Sequence, residues 1–266
     1  LLTNVHNWIL REILRRKKKN YSLDIFLYNI APDALPLHKD ISPEFTHNLN
    51  LTEELLKKYP KLIYVQYHIL VDNIGHYGDI FPSNCKKGYA YIKGEKIIEN
   101  VKNFYKEFGE NFDKEIISYL AHTVVEIALD FKISKDDPTI SELFFKIQTE
   151  ISQNEFEEYV EAISALYKID REIVREARKE PFKFYGKIES SEDFFLTKRT
   201  KLILRKTKKE FTEENISSAK NLVEEATKYL NDYKLFLEDA VFKLENFYSF
   251  SSITTPPVEV GIPRQD

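Results

Sequence analysis

The chain has a single cysteine, Cys85, among 266 residues, which excludes an internal disulfide and fits a reducing, cytoplasmic compartment. Cys85 itself is read as a packing residue. Glycine numbers only 7 and alternating polar and apolar runs are few, so a fold made mainly of strands is excluded. No window comes near the roughly 18 consecutive apolar residues of a membrane helix, so no integral membrane span is expected. The opening LLTNVHNWILREILRRKKKN carries its basic cluster after its apolar part, the reverse of a secretion signal. An excess of basic charge is missing too. Lys and Arg total 39 against 43 Asp and Glu, a net charge of -4, so no global field draws the chain into a stable nucleic-acid complex. The run RRKKK at 15 to 19 is read as a solvated helix end. Histidine is absent from everything after His122, and all 6 in the chain precede residue 123.

What is present is 42% hydrophobic and 14% aromatic content, enough to bury a sizeable core. The pattern predicts a compact all-α, multi-helix domain over 1 to 266, with a metal-binding half at 1 to 135, a helical remainder at 136 to 250 and a loose tail at 251 to 266. Helices are expected at about 5 to 17, 22 to 30, 52 to 78, 95 to 108, 112 to 131, 139 to 152, 154 to 167, 169 to 179 and 212 to 248. A short hairpin is expected in KKGYAYIKGEK, 86 to 96, and a break around 180 to 193. The last helix is long, with a seam of Ala219, Val223, Ala226, Leu230, Tyr233, Leu237, Ala240, Leu244 and Phe247 at alternating spacings of four and three. That seam is read as scaffold, with a dimer interface as the alternative. The oligomeric state stays open.

Two segments place ionisable residues where a core helix should be apolar. In YHILVDNIGH, His68, Asp72 and His76 lie four apart and so form one stripe over two turns, among Ile69, Leu70, Val71 and Ile74. SYLAHTVVEIALDFKI repeats the pattern with His122, Glu126 and Asp130, with no Lys or Arg between Ser118 and Lys132. A lone buried carboxylate would ordinarily take up a proton, so Glu126 needs a cation from outside its helix. The neighbouring imidazoles point to a first-row divalent metal rather than a lysine, with a buried hydrogen-bonded network as the alternative. Asp33, in the turn IAPDALPLHKD, accompanies them. His38 and His47 compete for the place after it. Asp130 is read as a supporting acid.

In this order the residues resemble the zinc-dependent phospholipase C family, whose broader superfamily includes fungal zinc nucleases that cut single strands. The matching elements are His6, Asp33 in APD, His47 in EFTHN, His68 with Asp72, His76, and His122 with Glu126. The resemblance spans residues 6 to 126 and implies an all-helical fold with a polynuclear zinc site between helices. It implies that Asp33, His47, His68 and Asp72 hold one zinc, that His76, His122 and Glu126 hold a second, and that Asp72 and His6 approach a third. The family's third ion also uses an N-terminal tryptophan, and there the sequence departs, with Leu1 at its start.

The implied activity is phosphodiester hydrolysis, in which water acidified by zinc attacks phosphorus and Asp33 orients or deprotonates it. The substrate is expected to be a phospholipid head group, a single-stranded nucleic acid or a smaller diester. Two other classes compete: a redox iron protein and a non-catalytic helical protein stabilised by metal. Against the first, the paired Glu-x-x-His motifs of di-iron bundles are lacking, with only Glu44 and His47 at that spacing. The chain also has no His-Asp dipeptide, the mark of another metallophosphohydrolase family.

Overall fold

Many helices begin where a short polar side chain precedes an apolar-periodic stretch. Ser42, Thr52, Ser152, Asp170, Ser191 and Thr212 each accept a hydrogen bond from a backbone amide of the following turn, and Ser152 with Glu155 completes a reciprocal capping box. The computed structural model describes residues 2–18, 20–81, 86–106 and 114–250, the last three as backbone only. Within them run α1 (Thr3–Arg16), α2 (Ile25–Ala34), α3 (Pro43–His47), α4 (Glu53–Lys58), α5 (Ile63–Tyr77), α6 (Tyr89–Gly94), α7 (Ile98–Lys106) and α8 (Lys114–Asp136). They are followed by α9 (Pro138–Thr149), α10 (Gln153–Tyr167), α11 (Arg171–Ala177), α12 (Glu192–Lys206), α13 (Glu213–Thr227) and α14 (Tyr233–Phe250), and no strand occurs among the described residues. The all-α expectation is met. Cys85 and the tail 251–266 lie outside the described residues.

Helix α8 is the axis of the fold because its middle has no face open to solvent. Every residue from Leu120 to Phe131 is buried, and α8 packs against α1, α6, α7, α9, α12 and α13. Helix α5 forms a second axis, packed against α1, α2, α6 and α14 and buried from Tyr67 through Gly75. Helices α1 and α6 touch both axes, so they fix how the two polar stripes face each other.

Helix α6 stands where a hairpin is expected. Its approach to both axes depends on small residues: a Cβ on Gly88 would lie 2.5 Å from the Gly75 carbonyl oxygen, and one on Gly94 would lie 3.1 Å from the His122 amide nitrogen. With no partner strand in reach, packing between α5 and α8 decides the conformation of this segment in favour of helix. Gly78, at φ +80, ends α5 in the left-handed conformation that favours glycine.

The expected helix over 52 to 78 is broken at Pro60, which opens a 3-10 turn between α4 and α5. The single long C-terminal helix is likewise corrected to two. Helix α13 winds down through tightened bonds from Tyr229 N to Ala226 O and from Leu230 N to Thr227 O. Asp232 then accepts the amides of Leu235 and Phe236 at the start of α14, while its carboxylate holds Lys93 and Tyr89 of α6. The apolar seam survives the interruption, since Ala219, Val223, Ala226, Leu230, Tyr233, Leu237, Ala240 and Leu244 are all buried.

Candidate metal centre

The i, i+4 spacing on α5 and α8 does what helical geometry requires, stacking His68 beneath Asp72 and His122 beneath Glu126. The fold then adds residues from elsewhere. Asp33, in the last turn of α2, and His47, at the end of α3, join His68 and Asp72, while His76 joins His122 and Glu126. In each set, one donor atom per residue lies within 4.8 Å of every other. Asp72 is the hub of the first set: its carboxylate oxygens lie 3.1 Å from His47 Nε2, 3.3 Å from His68 Nε2 and 3.2 Å from His6 Nε2. Asp33 lies 3.6 Å from His47 Nε2 and 3.7 Å from His68 Nε2. In the second set, Glu126 Oε1 lies 2.8 Å from His76 Nε2 and 3.6 Å from His122 Nε2.

The far sides of the rings fix their orientation. His68 Nδ1 meets the Asn29 carbonyl oxygen at 2.7 Å and His47 Nδ1 meets that of Pro43 at 2.8 Å, so each Nδ1 is a donor to the backbone and each Nε2 is turned inward, toward the carboxylates. The His122 ring is stacked on Tyr91 at 4.4 Å and meets Tyr119 edge-on at 5.0 Å. His6 stacks on His68 at 3.6 Å, with Asp33 4.0 Å from its Nε2. His6 thus stands beside the first set without joining either four-atom or three-atom cluster.

Several of these atoms are buried without a hydrogen bond of normal geometry: both ring nitrogens of His6, His68 Nε2, Asp33 Oδ2 and His122 Nδ1. Buried donors and acceptors are ordinarily satisfied, and leaving one unmade is costly. Nitrogens and carboxylate oxygens converging at 3 to 4 Å, with His68 Nε2, His6 Nε2 and Asp33 Oδ2 unsatisfied among them, fit a divalent cation between them. The donor set, imidazole with carboxylate, suits zinc and its first-row neighbours.

The charge states agree. Burial pulls the His6 pKa down to about 4 and that of His122 to about 3, so both rings are neutral at pH 7. Burial also works against the His68 cation, but Asp33 and Asp72 outweigh it and raise its pKa to about 9. Burial would raise the Asp72 and Glu126 carboxyls, yet the positive charge around them, to which His68 and His6 contribute for the first and His122 and His76 for the second, holds both well below the usual range. In the metal-free chain the His68 imidazolium therefore contributes stability that is complete below pH 6.5 and lost as pH rises through 9. A cation must displace that proton. Zinc uptake at pH 7 is accordingly expected to release about one proton per chain at this cluster, with apparent affinity rising roughly tenfold per pH unit until about pH 9. Titration calorimetry in buffers of different ionisation enthalpy measures it, and a heat independent of the buffer would contradict it.

Both clusters open on one cavity of about 540 Å³. Asp33, His47, Asp72, His76, His122 and Glu126 all reach its wall. His38 lines the cavity too but takes no place in a cluster, since its ring nitrogens face Glu176 at 3.4 Å and Asp40 at 3.9 Å. The wall is not confined to residues 1 to 135: Tyr185, Leu202, Arg205 and Lys206 complete it. The last three belong to α12, a helix the sequence reading does not place. Its signals are the Ser191 cap and the buried Phe195, Leu196, Leu202 and Ile203 at helical spacing. Arg199 interrupts that stripe and disguises it.

Asp130 is drawn away from the cavity, as a supporting acid. One carboxylate oxygen accepts the amides of Asn4 and Val5, and the other lies 2.7 Å from the buried Arg199 guanidinium. Asp130 thereby caps α1 from outside, because Leu2 at its N-terminus offers no capping side chain.

Compared with family models, curated proteins and solved structures, the chain matches none.

Proposed function

We propose that this chain is a metal-dependent phosphodiester hydrolase whose ligand arrangement is akin to that of zinc-dependent phospholipases C. The observation that carries the reading is the meeting of two carboxylate-imidazole clusters on one cavity of about 540 Å³, a size suited to a small organic phosphate. Asp33, His47, His68 and Asp72 would hold one divalent cation and His76, His122 and Glu126 another. Bound there, the ions supply Lewis acidity to water and to phosphoryl oxygens.

The chain's own residues do the rest. The Asp33 side chain is 18% exposed against 7% for Asp72, so Asp33 is the more open of the two first-cluster carboxylates on the cavity wall and can orient a water or accept its proton. Asn29 and Pro43 hold the His68 and His47 rings in the tautomer that keeps Nε2 free for a ligand. Tyr91, stacked on His122, and Tyr119, edge-on to it, fix the plane of that ring.

Elemental analysis of protein purified without chelator is expected to give at least two zinc ions per chain. Chelation is expected to abolish hydrolysis of bis(p-nitrophenyl) phosphate and to lower the melting temperature by several degrees, since zinc at a hundredfold excess over Kd stabilises by about 2.7 kcal/mol. Iron in place of zinc would shift the reading to redox chemistry. Zinc that is present and stabilising, with no diester cleaved, would leave a structural site.

A further inference from the structure

Three cations of the cavity wall take no part in either cluster. Lys206 Nζ donates to Thr123 Oγ1 at 3.0 Å, beside His122, and lies 4.6 Å from the Tyr119 ring centre. Arg205 Nη2 donates to the Pro36 carbonyl at 3.0 Å, just beyond Asp33, with its guanidinium 5.4 Å over Phe184. Lys39 stands on the loop after Pro36 and lines the same cavity. Among the described residues none of the three has a carboxylate within ion-pairing distance. Neighbouring basic residues do: Arg199 pairs with Asp130, Lys220 with Asp193 and Lys135 with Glu192. The two α12 cations thus line the open cavity and are held by neutral groups, the arrangement of charges kept for a ligand.

The charge balance points the same way. The acids lining the cavity are Asp33, Asp72, Glu126 and Glu44. Two divalent ions would cancel all four, and the three basic side chains would remain uncompensated. An ammonium head group would enter a positive field with none of the four lining carboxylates left to receive it, whereas a second anionic group would meet Arg205 and Lys206.

We propose that Arg205 and Lys206, with Lys39 at the rim, form an anion subsite that selects phosphodiesters carrying a further phosphate or carboxylate over those carrying an ammonium group. The inference rests on the hydrolase reading for the diester itself, and its test is a binding measurement that does not depend on turnover. Zinc-loaded protein is titrated calorimetrically with thymidine 3′,5′-bisphosphate and with thymidine 5′-monophosphate, which differ by one phosphate. The bisphosphate is expected to bind at least roughly tenfold more tightly, about 1.4 kcal/mol. That preference should fall below about threefold in Arg205→Gln/Lys206→Gln and persist in Lys206→Arg. Should the double variant fail to fold, Lys206→Gln alone serves, because Lys206 is an exposed residue at the end of α12.

Equal affinity for the two ligands in the unaltered protein would overturn the proposal, and so would a preference that survives the double substitution. A preference without cleavage of any diester would sink the hydrolase reading and leave the subsite standing. Cosedimentation with phosphatidylcholine vesicles, with and without phosphatidylinositol 4-phosphate, separates the sources. Retention only by the phosphoinositide assigns the second anion to a lipid, and retention by neither vesicle assigns it to a soluble diester.

Discussion

Replacing Asp72 by asparagine is expected to reduce kcat/KM for a chromogenic phosphodiester by roughly 10³-fold or more and to remove one metal ion per chain, with the helical fold retained. The size follows from position. Asp72 places its two oxygens among the Nε2 atoms of His6, His47 and His68, at 3.1 to 3.3 Å, closer to each of the three imidazoles than Asp33 comes. Even residues that only support a ligand commonly change metal affinity or activity by 10- to 100-fold, and a direct ligand acts more strongly. Asparagine keeps the shape and one oxygen while removing the charge that compensates the cation, so loss of fold is not the expected cause of failure. Zinc content and circular dichroism, measured on the same sample as the rate, separate the effects. Hydrolysis within tenfold of the unaltered chain at saturating zinc would place the reactive centre elsewhere.

The same stripe explains why so much of this centre is legible in the sequence. A carboxylate and an imidazole four residues apart share one helical face whatever the rest of the fold does, and apolar neighbours announce that the face is inward. His68 with Asp72 and His122 with Glu126 are readable for that reason alone, and the structure brings Asp33, His47 and His76 to them as the motif order implies. His6 is less legible: it reaches Asp72 at 3.2 Å only because α1 is anchored by Asp130, 124 positions away in the chain.

What escapes the sequence is whatever depends on distant packing. KKGYAYIKGEK offers turn-forming glycines, and only the narrow gap between α5 and α8 reveals that Gly88 and Gly94 serve close contact instead of a hairpin. Spacings of four and three run through 228 to 232 as though the helix continued, because the turn there preserves the buried face while Asp232 is diverted to Lys93 and Tyr89. Arg205 and Lys206 read as two more surface cations at a helix end. Their place on the cavity wall follows from α12 packing on α8, which no local pattern encodes.

Asp130→Ala is expected to destabilise the chain by about 3 to 5 kcal/mol, because it strands a buried guanidinium. Arg199 is 1% exposed, stacks 3.7 Å from the Tyr185 ring centre and already has Nε and Nη1 without hydrogen-bond partners. For a chain of this length such a loss lowers the melting temperature by roughly 10 °C. The pair is nevertheless no simple source of stability. Burial pushes the Asp130 carboxyl up to about 6 although Arg199 and two amides pull it down, so desolvation exceeds the attraction. With the folded pKa above the unfolded value of 3.8, this group's contribution is most favourable below pH 3.8 and diminishes as pH rises through 6, opposite in sign to Asp72 and Glu126. Removing both charges should therefore cost far less than removing one, and Asp130→Leu/Arg199→Met is expected to be more stable than Asp130→Leu. The double variant should still lose zinc more readily than the unaltered chain. Asp130 accepts the Asn4 and Val5 amides that begin α1, and freeing that end loosens the helix that carries His6 to Asp72. Denaturation midpoints for the two variants, with zinc affinity measured alongside, decide the matter: additive losses in stability, or unchanged zinc binding, would show that the pair neither couples nor positions the site.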